Sequence, residues 1–263
     1  MNRFYLLALV PLLALLSRVL CKRLGLVKPN FQGIEIPAAC GLTFVLAAPL
    51  ALAWPKGGIP ALTALIFGLF GLIDDIKGDR SVGGFKGHLK ALFSGKATTG
   101  SIKLVGGGFT ALAGAGALFW TGAVTPFWAA YTILGGALVA LSANAVNLLD
   151  TRPGRAQFGF LLLLLPSLLT AKTMPAILPV LLAALIEWPF DARAKSMMGD
   201  TGANCLGALA GMLALQSLPL WGQGVLLALL LTLNLLSERY SIQKTIQSTP
   251  WLNWVDRYLG IRA

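Results

Sequence analysis

Apolar residues gather into nine runs, at about residues 4 to 20, 36 to 54, 59 to 73, 104 to 121, 127 to 149, 157 to 171, 175 to 188, 202 to 218 and 219 to 236. A helix needs roughly 20 apolar residues to cross the hydrocarbon of a bilayer. The pattern therefore predicts an all-α fold, a polytopic membrane helix bundle of about nine transmembrane helices filling residues 1–236. The stretch from 237 to 263 departs from it. There Tyr240, Ile246, Trp251, Leu252, Trp254, Val255, Tyr258 and Leu259 alternate with Arg239, Lys244, Arg257 and Arg262, and an amphipathic tail is expected. The runs between 157 and 188 are short and punctuated by Pro166 and Pro175, so tilting or kinking is expected there. Arg18, Val19 and Leu20 precede Cys21 and make no small-residue cleavage site, so the first run reads as a retained span.

Composition narrows the chemistry. In 263 residues, 56% hydrophobic and 12% charged, no sizeable extramembrane domain fits, and any reaction must use short loops and helix ends. The net charge of +11 would point to nucleic acid in a soluble protein. Here the placement of charge argues otherwise. With nine spans only Arg3, Lys56 and Lys172 fall on one side, leaving 18 of the 21 basic residues on the other, which the positive-inside rule makes cytoplasmic. The reading is a multi-pass protein of the cytoplasmic membrane with no nucleic-acid partner. The stretch from Lys77 to Lys103 holds six of the basic residues among several glycines. It reads both as positive-inside bias and as a funnel for phosphate groups. Gly106, Gly107 and Gly108 lack a phosphate-loop Lys-Ser/Thr and read as close helix packing. Cys21, Cys40 and Cys205 sit in or beside apolar runs and read as small hydrophobic residues.

Carboxylates are costly at membrane depth, which makes the ten acidic residues the informative ones. Asp74 and Asp75 end the third run, Asp150 ends the fifth, and Asp200 opens the eighth within Met198-Gly199-Asp200-Thr201-Gly202. All three motifs fall at the same predicted membrane boundary. Bringing such groups together requires a cation or bound protons. Asn144, Asn147 and Asp150, spaced i, i+3 and i+6, lie within about 120° of one another on a helix of 3.6 residues per turn. Taken singly, each has a plainer explanation. The acid pair suits a solvated helix end, the Asn stripe suits interhelical hydrogen bonds, and Asp200 suits a helix N-cap entered through Gly199.

The ordered set of Asp74-Asp75, Asn144-x-x-Asn147-x-x-Asp150 and Met198-Gly199-Asp200-Thr201-Gly202, over roughly residues 30 to 215, resembles a known family. It is that of the polyprenyl-phosphate N-acetylhexosamine-1-phosphate transferases, which include phospho-N-acetylmuramoyl-pentapeptide translocase. The resemblance implies transfer of a sugar 1-phosphate from a uridine diphosphate sugar to polyprenyl phosphate, with release of the nucleoside monophosphate and with Mg²⁺ as cofactor. It further implies that Asp200 is the metal-binding aspartate, that Asp74 and Asp75 are the catalytic pair, and that Lys90 is the lysine of the following loop. Asn147 and Asp150 match residues near the nucleotide and the reaction centre. Independently, joining two phosphates concentrates negative charge, so a cation and basic side chains are the first requirement. A polyprenyl phosphate with a second pKa of about 6 scarcely needs a strong general base. Positioning and metal binding by Asp74 and Asp75 are therefore weighted above proton abstraction, with the base role left open.

The chain departs from the family after Asp150. The usual Gly-x-Asp-Gly is replaced by Thr151-Arg152-Pro153-Gly154-Arg155, and a His-rich loop is reduced to His88. Arg152 and Arg155 offer forked donors suited to phosphate, or they anchor a helix end to lipid. Expected partners are polyprenyl phosphate and a nucleotide sugar, with a homodimer admitted. The competing class is a catalytically silent relative acting as a lipid-linked transporter, flippase or scaffold, for which ionisable groups near mid-span would be the mark. The tail is expected in the cytoplasmic headgroup layer or docked on the loops.

Overall fold

The computed structural model describes residues 3–77, 99–120, 127–168 and 174–261. A 3-10 turn, Arg3–Leu9, leads into α1 (Val10–Arg23); a small antiparallel hairpin, β1 (Val27–Pro29) with β2 (Glu35–Pro37), follows. Helix α2 (Leu42–Ala47) continues as a 3-10 segment to Ala53. Then come α3 (Gly58–Lys77), α4 (Thr99–Phe119), α5 (Trp128–Leu149), α6 (Arg155–Leu168), α7 (Met174–Ala192), α8 (Gly199–Ser217) and α9 (Leu220–Ser237). Two short helices close the chain, α10 (Ile242–Ser248) and α11 (Pro250–Leu259).

Each apolar run coincides with a helical segment, as the all-α reading requires. Five of them are long and apolar enough to cross a membrane: Arg3–Arg23, α3, α4, α5 and α9. The protein is accordingly a multi-pass membrane protein. The other four segments are not uniform spans. Leu42–Ala53 and Arg155–Leu168 are short apolar helices, the latter about 21 Å long at 1.5 Å per residue, against a hydrocarbon core of about 30 Å. Helix α7 carries Pro179 and Pro189 internally. Helix α8 is buried on every side from Thr201 to Leu215.

The composition of α8 explains its place. Rich in Gly and Ala, it admits close approach of neighbouring backbones, the usual means by which helices associate where lipid weakens the hydrophobic drive. A β-carbon on Gly207 would press on Ala143 and Ser142 of α5, one on Gly211 on Val139, and one on Gly202 on Gly41 and Met198. Helix α3 uses the same device from the other side. Gly68 abuts Val45 and Cys205, and Gly71 lies against the Asp200 backbone. Asp74 and Asp75 follow Gly71 at i+3 and i+4, on the same helix face, so this contact carries both carboxylates to the start of α8. Of the three glycines read as close helix packing, Gly106 and Gly107 pack on Phe70 and Phe67, whereas Gly108 faces open space. The three cysteines are buried thiols.

The segment leading into α8 is fixed by backbone pairing with the exit of the hairpin. Met197 N–H donates to the Pro37 carbonyl (2.8 Å), Cys40 N–H to Met197 (2.9 Å) and Gly41 N–H to Met198 (2.9 Å). Asn30 in the hairpin turn donates to the Ala194 carbonyl at 3.0 Å. A part-buried ion pair, Arg18 with the buried Glu187 at 2.9 Å, joins α1 to α7, and Thr43 donates to the same carboxylate at 2.8 Å.

Candidate active site

Four helix ends meet at one end of the bundle around a cleft of about 990 Å³. Asp74 and Asp75 come from the last turn of α3, Asp150 from just beyond α5, and Asp200 from the first turn of α8. All four line the cleft, as do Arg152, Pro153, Lys28 and Asp191.

The adjacent aspartates do different work. Asp75 Oδ1 accepts the Asp200 N–H (3.2 Å), and Oδ2 accepts both the Thr201 N–H (2.9 Å) and the Thr201 hydroxyl (2.7 Å). It therefore caps α8 from a different helix, satisfying N–H groups that have no partner within the helix. Asp200, read from sequence as its own helix's cap, is instead inside the first turn. Gly199 makes the arrangement possible. Its φ is +71°, and a β-carbon would strike the Asp75 carboxylate and the Ala38 carbonyl.

Freed from capping, Asp200 turns to Lys103, one turn into α4, and its Oδ2 accepts a hydrogen bond from the Lys103 ammonium. The same ammonium lies 3.8 Å from Asp74 Oδ2, while Asp74 Oδ1 accepts from Thr99 Oγ1 at 2.7 Å. Two carboxylates from separate helices thus face one positive charge. Such a pair of hard oxygen donors fits Mg²⁺, which is commonly held by one or two carboxylates, with substrate phosphates and waters completing its shell. Among the described residues no group of three or more His, Cys, Asp or Glu side chains converges as a metal cage. Asp75, with three of its lone-pair positions engaged, is the weaker candidate ligand.

Asp150 reaches the start of α8 from just beyond α5, where the Gly199 N–H bonds its carboxylate. Burial, and then the charges of Asp191, Asp200 and Asp75, push its carboxyl well above the usual range. Asp191 itself is buried and accepts the Gly154 N–H at 2.6 Å, which holds the turn after Asp150 in place. Gly154 has φ +80° and lies against the Leu259 carbonyl, so no side chain fits there.

Other expected residues fall elsewhere. Asn144 is exposed and donates to Asn234 of α9, the interhelical bond that was its plainer explanation. Asn147 is half-buried one turn before Asp150 and is not part of the cleft lining. Arg155, expected at the substrate, is turned away from the cleft lining toward the C-terminal tail. It is 3% exposed, its Nε and Nη2 bond Asp256 at 2.5 and 2.9 Å, and its Nη1 reaches Thr151 at 3.2 Å. Arg152 alone of the two arginines lines the cleft. Lys90 lies outside the described residues.

Lys103, Thr99, Thr201 and Asp191 were not singled out from sequence. Lys103 carries a detectable signal, a lone cation at the start of an apolar run, which its place at the end of the basic loop masks. The capping role of Asp75 predicts that Asp75→Ala loosens the first turn of α8, costing about 0.5–2 kcal/mol, whereas Asp75→Asn, which keeps an oxygen acceptor, recovers part of the loss. Thermal midpoints in detergent would report the ranking, and equal midpoints for Asp75→Ala and the native chain would contradict it.

Fold and site together describe a polytopic membrane helix bundle in which carboxylates at helix ends face the ammonium of Lys103. Residues 58–218 match the profile of glycosyl transferase family 4, and the chain belongs to that family, which contains phospho-N-acetylmuramoyl-pentapeptide translocase and related polyprenyl-phosphate sugar-phosphate transferases. Members of the family are glycosyl-1-phosphate transferases. No curated protein matches the chain.

Proposed function

We propose that the protein transfers a sugar 1-phosphate from a nucleoside diphosphate sugar, with uridine the expected nucleoside, to polyprenyl phosphate at the cytoplasmic face of the membrane, in cell-wall or surface-glycan synthesis. The observation that carries this reading is the facing of Asp74 and Asp200 about the Lys103 ammonium at the bundle end. An acceptor phosphate oxygen forms a bond to the phosphorus bearing the sugar. The bond from that phosphorus to the bridging oxygen breaks, and its electron pair leaves with the nucleoside monophosphate. Asp74 and Asp200 would hold Mg²⁺, which neutralises charge on the diphosphate when bound. Lys103 neutralises the two carboxylates while the cleft is empty and turns its donors to phosphate oxygens when substrate enters. Asp75 keeps Asp200 aimed by fixing the start of α8. Because the acceptor is already largely ionised near neutral pH, with a second pKa of about 6, no residue is required as a strong base.

The transporter or scaffold reading lacks a comparable observation. The cleft acids sit at helix ends, and even the part-buried Arg18–Glu187 pair lies near the ends of α1 and α7.

The donor pocket is where this chain differs. Pro153 and Arg152 line the cleft where the family's second acidic residue would accept hydrogen bonds from base or ribose, and a proline side chain accepts none. We expect looser reading of the nucleoside, or preference for a more anionic donor through Arg152. Nucleoside monophosphate release that depends on added polyprenyl phosphate, measured with matched uridine, cytidine and guanosine diphosphate sugars, tests both levels. Comparable rates across nucleosides, narrowed toward uridine by Pro153→Asp, are expected. Strict uridine selectivity unchanged by Pro153→Asp would contradict the pocket assignment.

A further inference from the structure

The last helix, α11, presents two dissimilar faces. On its outer face Trp251, Trp254 and Tyr258 are 67%, 63% and 76% exposed and, at i, i+3 and i+7, lie along one stripe. On its inner face Asp256 is buried against Arg155 in the two-point ion pair already described. Ile261 N–H adds a bond to the Ala192 carbonyl at 2.7 Å. The inner face therefore grips the Gly154–Arg155 turn, which directly follows Arg152 and Pro153 of the cleft wall. Gln243, on the preceding α10, lines the cleft itself.

Beside α11 runs a groove of about 670 Å³, lined by Trp188, Arg193, Arg257 and Tyr258 and by no acidic residue. Neither arginine forms an ion pair with a described residue. Two guanidinium groups with no ion-pair partner among the described residues, flanked by two aromatic rings, match the chemistry of a phospholipid headgroup, with phosphate at the arginines and rings at the glycerol level. Position selects the same occupant. Asp256 ties α11 to Arg155, the first residue of the apolar helix α6, so the aromatic stripe lies at the level where the apolar helices end.

We propose that α11 is a membrane-seated strut. Its Trp251/Trp254/Tyr258 stripe and the Arg193/Arg257 groove take the anionic phospholipid headgroup layer, and the Asp256–Arg155 pair transmits that seat to the Asp150–Pro153 wall of the cleft. The strut sets the height of the wall relative to the plane in which a lipid phosphate is presented. The kinetic part of this inference rests on the function proposed above; the structural part does not.

Because Cys21, Cys40 and Cys205 are buried, a nitroxide attached to Trp254→Cys of the full chain reports that site alone. In vesicles of phosphatidylcholine with phosphatidylglycerol the label is expected at headgroup depth, favouring oxygen over a water-soluble nickel chelate. It should lie shallower in phosphatidylcholine alone, and Arg193→Gln with Arg257→Gln should abolish that difference. Asp256→Asn should speed amide exchange across residues 150–155 by about tenfold or more, as expected for a local unit losing its support. Replacing Trp251, Trp254 and Tyr258 by Gln should raise the KM for polyprenyl phosphate in vesicles, leaving kcat and the donor KM unchanged. A label at 254 with the nickel accessibility of an aqueous site, or exchange across 150–155 unaltered by Asp256→Asn, would overturn the strut. A chain with no transferase activity would overturn the proposed function, and the depth and exchange measurements would still decide the strut.

Discussion

Asp200→Asn is expected to reduce turnover by roughly 10²–10³-fold or more, the range seen when a preorganised electrostatic contact to the transition state is removed. The fold should survive. The bonds that fix the start of α8 are made by the Asp200 and Thr201 backbone N–H groups and the Thr201 hydroxyl to Asp75, and none uses the Asp200 side chain. Asparagine is nearly isosteric and still accepts from Lys103 through its amide oxygen. What it lacks is the charge that, with Asp74, would hold a divalent cation. A native-like thermal midpoint with lost turnover is the expected pair of results. Full turnover at saturating Mg²⁺ would remove Asp200 from the site.

Lys103→Met produces the second large effect and separates two roles that the ammonium combines. Turnover is expected to fall by roughly 10²-fold, because a positive charge beside the transferring phosphate is lost in a site partly shielded from water. Binding of Mn²⁺ by the substrate-free protein should nevertheless tighten. The ammonium occupies the space between Asp74 and Asp200 that a divalent cation would take, and its removal leaves two like charges facing each other. Mn²⁺ titration followed by electron paramagnetic resonance reads this directly. Weaker Mn²⁺ binding in Lys103→Met would show that the lysine helps to build the cation site.

Hydropathy located the nine apolar helical segments, because a bilayer imposes one length and one polarity on its spans; the short helices α10 and α11 left no such mark. It did not forecast that Leu42–Ala53 and Arg155–Leu168 are short or that α8 is enclosed, since both depend on partners distant in sequence. The cleft acids were legible for a related reason. Carboxylates are rare in such a chain, and the alternation of spans places Asp74, Asp75, Asp150 and Asp200 at one boundary whatever the packing. Helical spacing was less reliable. Asn144 and Asp150 are six residues, and so about 120°, apart, and that angle was enough for Asn144 to meet Asn234 on α9 while Asp150 met the cleft. Pairings such as Asp75 with the start of α8, Lys103 with Asp200, or Arg155 with Asp256 leave no mark in local sequence. They join elements about 100 residues apart or more, and only the close packing at Gly71 and Gly199 brings the first of them together.

In the proposed function the carboxylates facing Lys103 serve phosphosugar transfer to a lipid. This role is tested most directly with the purified full chain in lipid nanodiscs containing polyprenyl phosphate, supplied with Mg²⁺ and a panel of nucleoside diphosphate sugars. A lipid-linked sugar diphosphate is expected to form in step with nucleoside monophosphate, dependent on both polyprenyl phosphate and Mg²⁺, and to be lost in Asp200→Asn. Product formed at the same rate by Asp200→Asn, or no polyprenyl-dependent release of monophosphate from any donor of the panel, would contradict it.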